Sequence, residues 1–203
     1  MKTASLALHS TRSSWLDRLR AEDASVATQI AGVVGFALLT AVSADANLRL
    51  YLWEVPITLQ TLMVYASGLF LGARNGMLAQ VLYLSLGLFI PVYAGDGTGV
   101  AYLLGAASAG YLFAYPLAAF TIGALTKRWN SLTGSTLSML IGAAIIFTSG
   151  VIWLHYIAGH ATWMESIDKG FLRFALIDLV KVGVLGLLYG GIRQAFGASA
   201  SDA

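Results

Sequence analysis

Cysteine is absent from all 203 residues, which excludes disulfides, thiolate metal sites and thiol nucleophiles together. Charge is nearly as scarce: Asp, Glu, Lys and Arg make up 11% of the chain, against about 25% in an ordinary soluble domain. A formal net charge of +2 gives no electrostatic footprint for nucleic acid. No GxxxxGK[ST] loop occurs, so the chain does not hydrolyse ATP by that architecture, and any coupling to ATP needs a partner. There is no GxSxG elbow either; the scattered Ser and Thr are expected to bond to neighbouring helices. His155 and His160 lie on different faces of a helix and do not make the i,i+4 pair of an HExxH metal site.

What the chain has in quantity is apolar surface, 58% of its residues. It gathers in six runs, about 26–44, 57–72, 76–93, 110–126, 134–157 and 171–192. Most are near the ~20 residues that a helix needs to cross ~30 Å of hydrocarbon. Continuous hydrophobicity and frequent Gly predict helices, since barrel strands would alternate apolar and polar residues. The expected fold is an all-α integral membrane protein, a bundle of six transmembrane helices. The second run is short and opens with the polar TLQT, so its outer end is expected to be tilted or buried against protein.

Lys and Arg between the runs orient the bundle. One side holds Lys2, Arg12, Arg18, Arg20, Arg74, Lys127, Arg128 and Arg193; the other holds Arg49, Lys169 and Arg173. Both termini are therefore expected in the cytoplasm, with the chain in the inner (cytoplasmic) membrane. On this division 1–24 is a cytoplasmic segment, 25–193 the membrane domain and 194–203 a cytoplasmic tail. Within the first segment, Trp15, Leu16 and Leu19 suit a short interfacial helix with Arg12, Arg18 and Arg20 on its polar side; a disordered tail fits as well. The first run is too long for the core of a cleavable signal peptide.

Against this background the stretch FALIDLVKVGVLGLLYGG (174–191) stands out, because it carries Asp178 and Lys181. At i,i+3 the two side chains share a helical face, about 60° apart. An ionisable group at mid-membrane costs a few kcal/mol, and such groups face a bundle interior or a wet pocket. Two roles fit: an ion pair that locks helices together, or the polar wall of a cavity. Both residues lie in the outer half of a run that starts at 171, so such a cavity would open outward and capture an external solute.

Other polar and glycine-rich features fall on the same side. In LRLYLWEVPITLQTL, Pro56 ends an extended loop and Gln60 offers an amide just inside the second run. In IPVYAGDGTGVAYLLG, Gly95, Gly97 and Gly99 permit a tight backbone, and Asp96 adds an acceptor.

In these residues the chain resembles the BioY family of biotin-uptake proteins, the substrate-binding S components of energy-coupling factor (ECF) transporters. The resemblance is carried by 55–99: Pro-x-Thr-x-Gln-Thr from Pro56, the turn at Leu71, Gly72 and Gly76, then Tyr83 and Gly87, and Pro-Val-aromatic-Ala-Gly at 91–95. It resumes at Gly110-Tyr111 and at Asp178 with Lys181, and covers most of 25–192. One stretch departs: GAASAGY (105–111) stands where the family commonly has a Gly-Pro-Thr-Gly-Gly-Tyr type sequence.

The resemblance implies a six-helix ECF S-component fold, no enzymatic activity, no cofactor or metal, and biotin as the transported substrate. Asp178 would accept from the ureido N–H groups, and Lys181 would donate to the ureido oxygen or offset the carboxylate. Gln60 and Asp96 are further polar candidates. Tyr83, Tyr93 and Trp53 are candidate walls for the apolar rings, ordinary packing or an interfacial belt being the alternative. The implied partners are a transmembrane energising subunit and ATP-binding subunits. In the first run Ala27, Ala31 and Gly35 recur at i,i+4, as do Ala37 and Ala41, a pattern that lets helices approach closely; by resemblance the Ala27, Ala31, Gly35 face docks on the energising subunit. An S component for another small vitamin is the neighbouring alternative. An intramembrane enzyme, built on Asp178 with a His, is the remoter one.

Overall fold

The computed structural model describes residues 24–45, 54–129 and 131–198. Trp53 and the expected interfacial segment lie outside them. Regular structure among these residues is helical, with one isolated bridge, Tyr93 to Gly97. In chain order the helices are α1 (Val26–Asp45), α2 (Gln60–Leu86), α3 (Gly99–Gly105), α4 (Ala109–Arg128), α5 (Leu132–Ile157), α6 (Trp163–Ile167) and α7 (Arg173–Ala198). A single π turn, Asp168–Leu172, joins α6 to α7.

α2 is a hairpin. At Gly72 the backbone turns through φ 77°, ψ −174°, a region essentially closed to residues with a Cβ. The arms 60–71 and 73–86 then run back along each other. Gln60 Nε2 donates to Tyr83 OH at 2.5 Å and Gln80 Nε2 to Ser67 Oγ at 3.0 Å. The second and third apolar runs are thus the two arms, and with α1, α4, α5 and α7 they complete the six-helix bundle. At 1.5 Å per residue the arms are roughly 18 and 21 Å long, short of the ~30 Å hydrocarbon layer. The third run was expected to stay helical to 93; it stops at Leu86, where a loop begins. The short α3 beyond that loop had no counterpart among the apolar runs.

α4 packs most extensively, with the α2 hairpin on one side and α5 on the other; α1 covers the hairpin, and α7 rests more lightly on α5 and the hairpin. The α4–hairpin contact depends on Gly123, where a Cβ would lie 2.3 Å from Ala73 N. Gln80, fully buried, also donates to Thr40 Oγ1 of α1 at 3.3 Å, so one amide ties α1 to both arms. Most hydroxyls within the helices bond their own backbone, as Thr126 does to Ile122 O, Ser138 to Gly134 O and Thr121 to Leu117 O. This corrects the expectation that they chiefly join neighbouring helices: back-bonding to the preceding turn satisfies a hydroxyl without a partner helix.

The outside of the bundle is apolar. Leu176, Leu187, Leu188 and Val42 are all more than half exposed, while Gln60, Gln80, Asp178 and Lys181 are buried. Residues 26–44, α4 and α5 are each long and apolar enough to cross a membrane. α7 has the length, about 39 Å, and its two mid-helix charges, Asp178 and Lys181, are buried.

Candidate functional site

α7 brings Asp178 and Lys181 to the inner face of the bundle, 5% and 9% exposed. Opposite them, on the first arm of the hairpin, stand Thr61 and Tyr65, at i,i+4 and so on one face. Tyr65 OH donates to Asp178 Oδ2 at 2.6 Å and Thr61 Oγ1 to Asp178 Oδ1 at 2.9 Å. Lys181 Nζ donates to Thr61 Oγ1 and to the Thr58 carbonyl, both at 2.8 Å. The two charges are not in hydrogen-bond contact, since Nζ lies 3.7 Å from Oδ1. Acid and base are therefore neutralised side by side, with hydroxyls and a loop carbonyl meeting the valences that water would otherwise fill.

The pair borders a cavity of about 40 Å³. One wall is the segment before α2 with the start of its first arm: Val55, Pro56, Thr58, Gln60 and Thr61. The other comes from α4, α5 and α7: Tyr111, Leu112, Tyr115, Phe147 and Phe174, with Ser108 at the rim. Tyr111 is fixed by donating its hydroxyl to Gly170 O in the π turn at 2.7 Å, and its ring meets Phe147 edge-on at 6.1 Å. Polar groups thus converge on one side and flat apolar rings on the other. A larger groove of about 810 Å³ lies between α4 and α5, lined by Phe113, Leu117, Ile145 and Trp153 among others. It holds no charged side chain, and of its polar lining residues Ser149 and Trp153 already donate to the Gly110 and Ala106 carbonyls.

The segment that forms the first wall is tied down from outside as well. Glu54 accepts from Lys169 Nζ at 2.7 Å, and Lys169 also pairs with Glu165 at 3.0 Å. The hydrogen bonds from Lys169 hold both carboxyls below the usual glutamate range, and Glu54 followed by Glu165 raises the Lys169 ammonium above its ordinary value. His160 Nε2 lies 3.7 Å from Glu54 Oε1. His155 stacks on Trp163 at 3.9 Å between ring centres. Both His Nδ1 atoms share Ser166 Oγ, at 2.9 and 3.0 Å. Among the described residues no cluster of His, Cys, Asp or Glu could hold a metal ion.

Of the residues singled out in the sequence, Asp178, Lys181 and Gln60 meet at the cavity. Tyr83 and Tyr93 stand behind that layer. Tyr83 OH accepts from Gln60 and donates to Val92 O at 3.2 Å; Tyr93 OH donates to Leu84 O at 2.6 Å. They brace the loop after α2 and do not line the cavity. Asp96 sits exposed at the tip of that loop, at φ 58°, away from the cavity walls. On α1, Ala27 and Ala31 are exposed and a Cβ on Gly35 would meet nothing within 4 Å, whereas Ala37 and Ala41 are buried within the chain. The two small-residue patterns on this helix therefore face different ways. Sequence reasoning assigned no site role to Thr61 and Tyr111, though both stand in the motifs, and passed over Tyr65, Tyr115, Phe147 and Phe174. For Thr61 and Tyr65 the i,i+4 spacing was readable, but their partners lie more than 100 residues away, at Asp178.

An apolar bundle that buries a charged pair beside a cavity, under the segment that precedes α2, defines a multi-pass membrane protein. The fold matches a crystal structure described as the S-component for biotin from an ECF-type ABC transporter, with a TM-score of 0.76, 22% identity, and coverage of 86% of this chain and 95% of the other. The family model for BioY matches residues 12–198, and the chain belongs to the BioY family. A probable biotin transporter of Pyrococcus horikoshii is 35% identical over 156 residues, 76% of this chain and 90% of its own. The biotin transporter BioY of Thermotoga maritima is 36% identical over 138 residues, 68% of this chain and 80% of its own.

Proposed function

We propose that this protein captures biotin from the outer side of the cytoplasmic membrane and carries it across as the S component of an ECF-type transporter. The observation that carries the reading is the buried Asp178–Lys181 pair facing a wall of aromatic rings, in a chain of this family. Biotin joins a ureido group, which both donates and accepts, to an apolar bicycle and a carboxylate tail. Asp178 accepts from the ureido N–H groups, Lys181 donates to the ureido oxygen or to the carboxylate, and Gln60 adds an amide. The apolar bicycle packs on Tyr111, Tyr115, Phe147 and Phe174. Tyr83 and Tyr93 support the loop above, and Asp96 meets the solute at the loop surface before it enters.

A cavity of about 40 Å³ is near the share of one water molecule, ~30 Å³, and ligand pockets are roughly 300–1,000 Å³. Binding therefore moves the segment 54–59 outward, which releases the Thr58 carbonyl from Lys181 and strains the Glu54–Lys169 bond. The exposed Ala27 and Ala31, with the half-buried Gly35 on which a Cβ would meet nothing, leave room on α1 for a partner helix to come close, and this face docks on the energising subunit, which in turn joins ATP-binding subunits. Both termini lie in the cytoplasm, consistent with the surplus of Lys and Arg on that side.

Equilibrium dialysis of the purified protein with biotin, thiamine and riboflavin, without ATP, tests the reading. Saturable binding of biotin alone at micromolar concentration is expected. A folded protein that binds another of these vitamins and not biotin would keep the architecture and refute the substrate.

A further inference from the structure

Among the described residues Thr61 is the one side chain hydrogen-bonded to both buried charges. The direction of its hydrogen bonds is fixed by chemistry. A lysine ammonium has no acceptor and an ionised carboxylate has no donor, so Lys181 gives to Thr61 and Thr61 gives its single proton to Asp178. The distances are 2.8 Å and 2.9 Å. A direct charge-assisted contact would place Nζ about 2.7–2.9 Å from the carboxylate, yet it stands at 3.7 Å. Tyr65 holds Asp178 from one flank and the Thr58 carbonyl holds Lys181 from the other. With Thr61 between them, the two groups stay a little less than 1 Å too far apart to close on each other.

We propose that Thr61 is a spacer that keeps Asp178 and Lys181 from collapsing into a contact ion pair, so that donor and acceptor remain available to the solute. The inference rests on the biotin reading above. A contact pair would satisfy each charge with the other, at the expense of the N–H and the lone pair a ligand must use. Replacing Thr61 by the isosteric Val removes both bridging bonds and leaves each charge with the other as its nearest new partner. The protein then keeps its stability and loses its affinity, an outcome that a merely structural threonine would not give.

The test compares the parent with Thr61→Val and Thr61→Ser, measuring biotin affinity by equilibrium dialysis and the melting temperature without biotin. Thr61→Val is expected to bind at least tenfold more weakly with Tm unchanged or raised. Thr61→Ser, which keeps the hydroxyl, is expected to bind like the parent. A Val variant within tenfold of the parent overturns the proposal, as does a Ser variant no tighter than Val, or a Tm that falls together with the affinity. A folded parent that does not bind biotin overturns the functional reading and this inference with it; a parent that binds while Val binds equally removes the spacer alone.

Discussion

Asp178→Asn takes one charge out of the buried pair and keeps the shape. The carboxylate accepts from two hydroxyls, Tyr65 at 2.6 Å and Thr61 at 2.9 Å. Asparagine offers one carbonyl oxygen, so whichever way its amide turns, one hydroxyl meets an NH₂ donor instead of an acceptor. If Asp178 also receives the ureido N–H groups of biotin, losing a charged acceptor weakens binding by about 1.5–3 kcal/mol, or roughly 10- to 150-fold. Stability moves too. Removing one partner of a buried pair costs ~3–5 kcal/mol when the other is left uncompensated. Here Lys181 retains Thr58 O and Thr61 Oγ1, which places the loss at the lower end of that range. Lys181→Met should weaken binding comparably. In the double variant no buried charge remains, and much of the lost stability should return. The assay is thermal unfolding without biotin, beside biotin affinity, for the two single variants and the double. Recovered stability with lost affinity is expected. A double variant that is stable and binds biotin like the parent would refute the binding role and leave the pair as a structural lock.

Ala31→Leu on the open face of α1 should leave biotin affinity as it is and reduce uptake by at least several-fold in cells carrying the energising and ATP-binding subunits; uptake equal to the parent would remove docking from this face. The cluster of Glu54, Glu165 and Lys169 should respond to pH. Glu54 and Glu165 are held below the normal carboxyl range, so their contribution is fully present above about pH 4.3, the ordinary glutamate value, and is lost as pH falls through their depressed values. Lys169 is raised, so its share persists below about pH 10.4 and disappears only above that. Hydrogen exchange of 54–59, corrected for intrinsic rate, should be flat from about pH 5 to 9 and accelerate below about pH 4; acceleration beginning near neutrality would contradict the assignment.

Much of this architecture could be read from hydrophobicity, because lipid allows little else. Six apolar runs in a chain with 11% charged residues leave helices as the way to satisfy the backbone, and an acid and a base three positions apart stand out in such a run. Helix ends were less legible. The third run is apolar to 93, yet the helix ends at Leu86, where Gly87 lies against the Tyr93 ring and the loop folds back under aromatic side chains. The hairpin was legible from hydrophobicity only as two short runs, and the turn at Leu71, Gly72 and Gly76 only through the family resemblance. That they meet in a single glycine follows from the positive φ of Gly72, which composition does not express. The apolar wall was misplaced for a related reason. Tyr83 and Tyr93 adjoin the motifs in sequence, whereas the described rings on the cavity come from α4, α5 and α7, three helices brought together by packing between residues distant in the chain.

The π turn at Asp168–Leu172 sets the phase of everything after it. A wide turn of this kind accommodates one residue more than the α-helix it interrupts. A chain lacking that residue would wind as an ordinary helix from Trp163 onward, and the faces downstream would rotate by about 100° relative to those upstream. Anchored at its start by Lys169, the rotated helix would swing Asp178 and Lys181 off the line of Thr61 and Tyr65 and toward lipid, while changing neither the hydrophobicity of the run nor its length by more than one position. Deletions and insertions in this turn should therefore be far less tolerated than substitutions, and a relative that differs here by one residue would need a second, compensating change before its helix could present the same two charges inward.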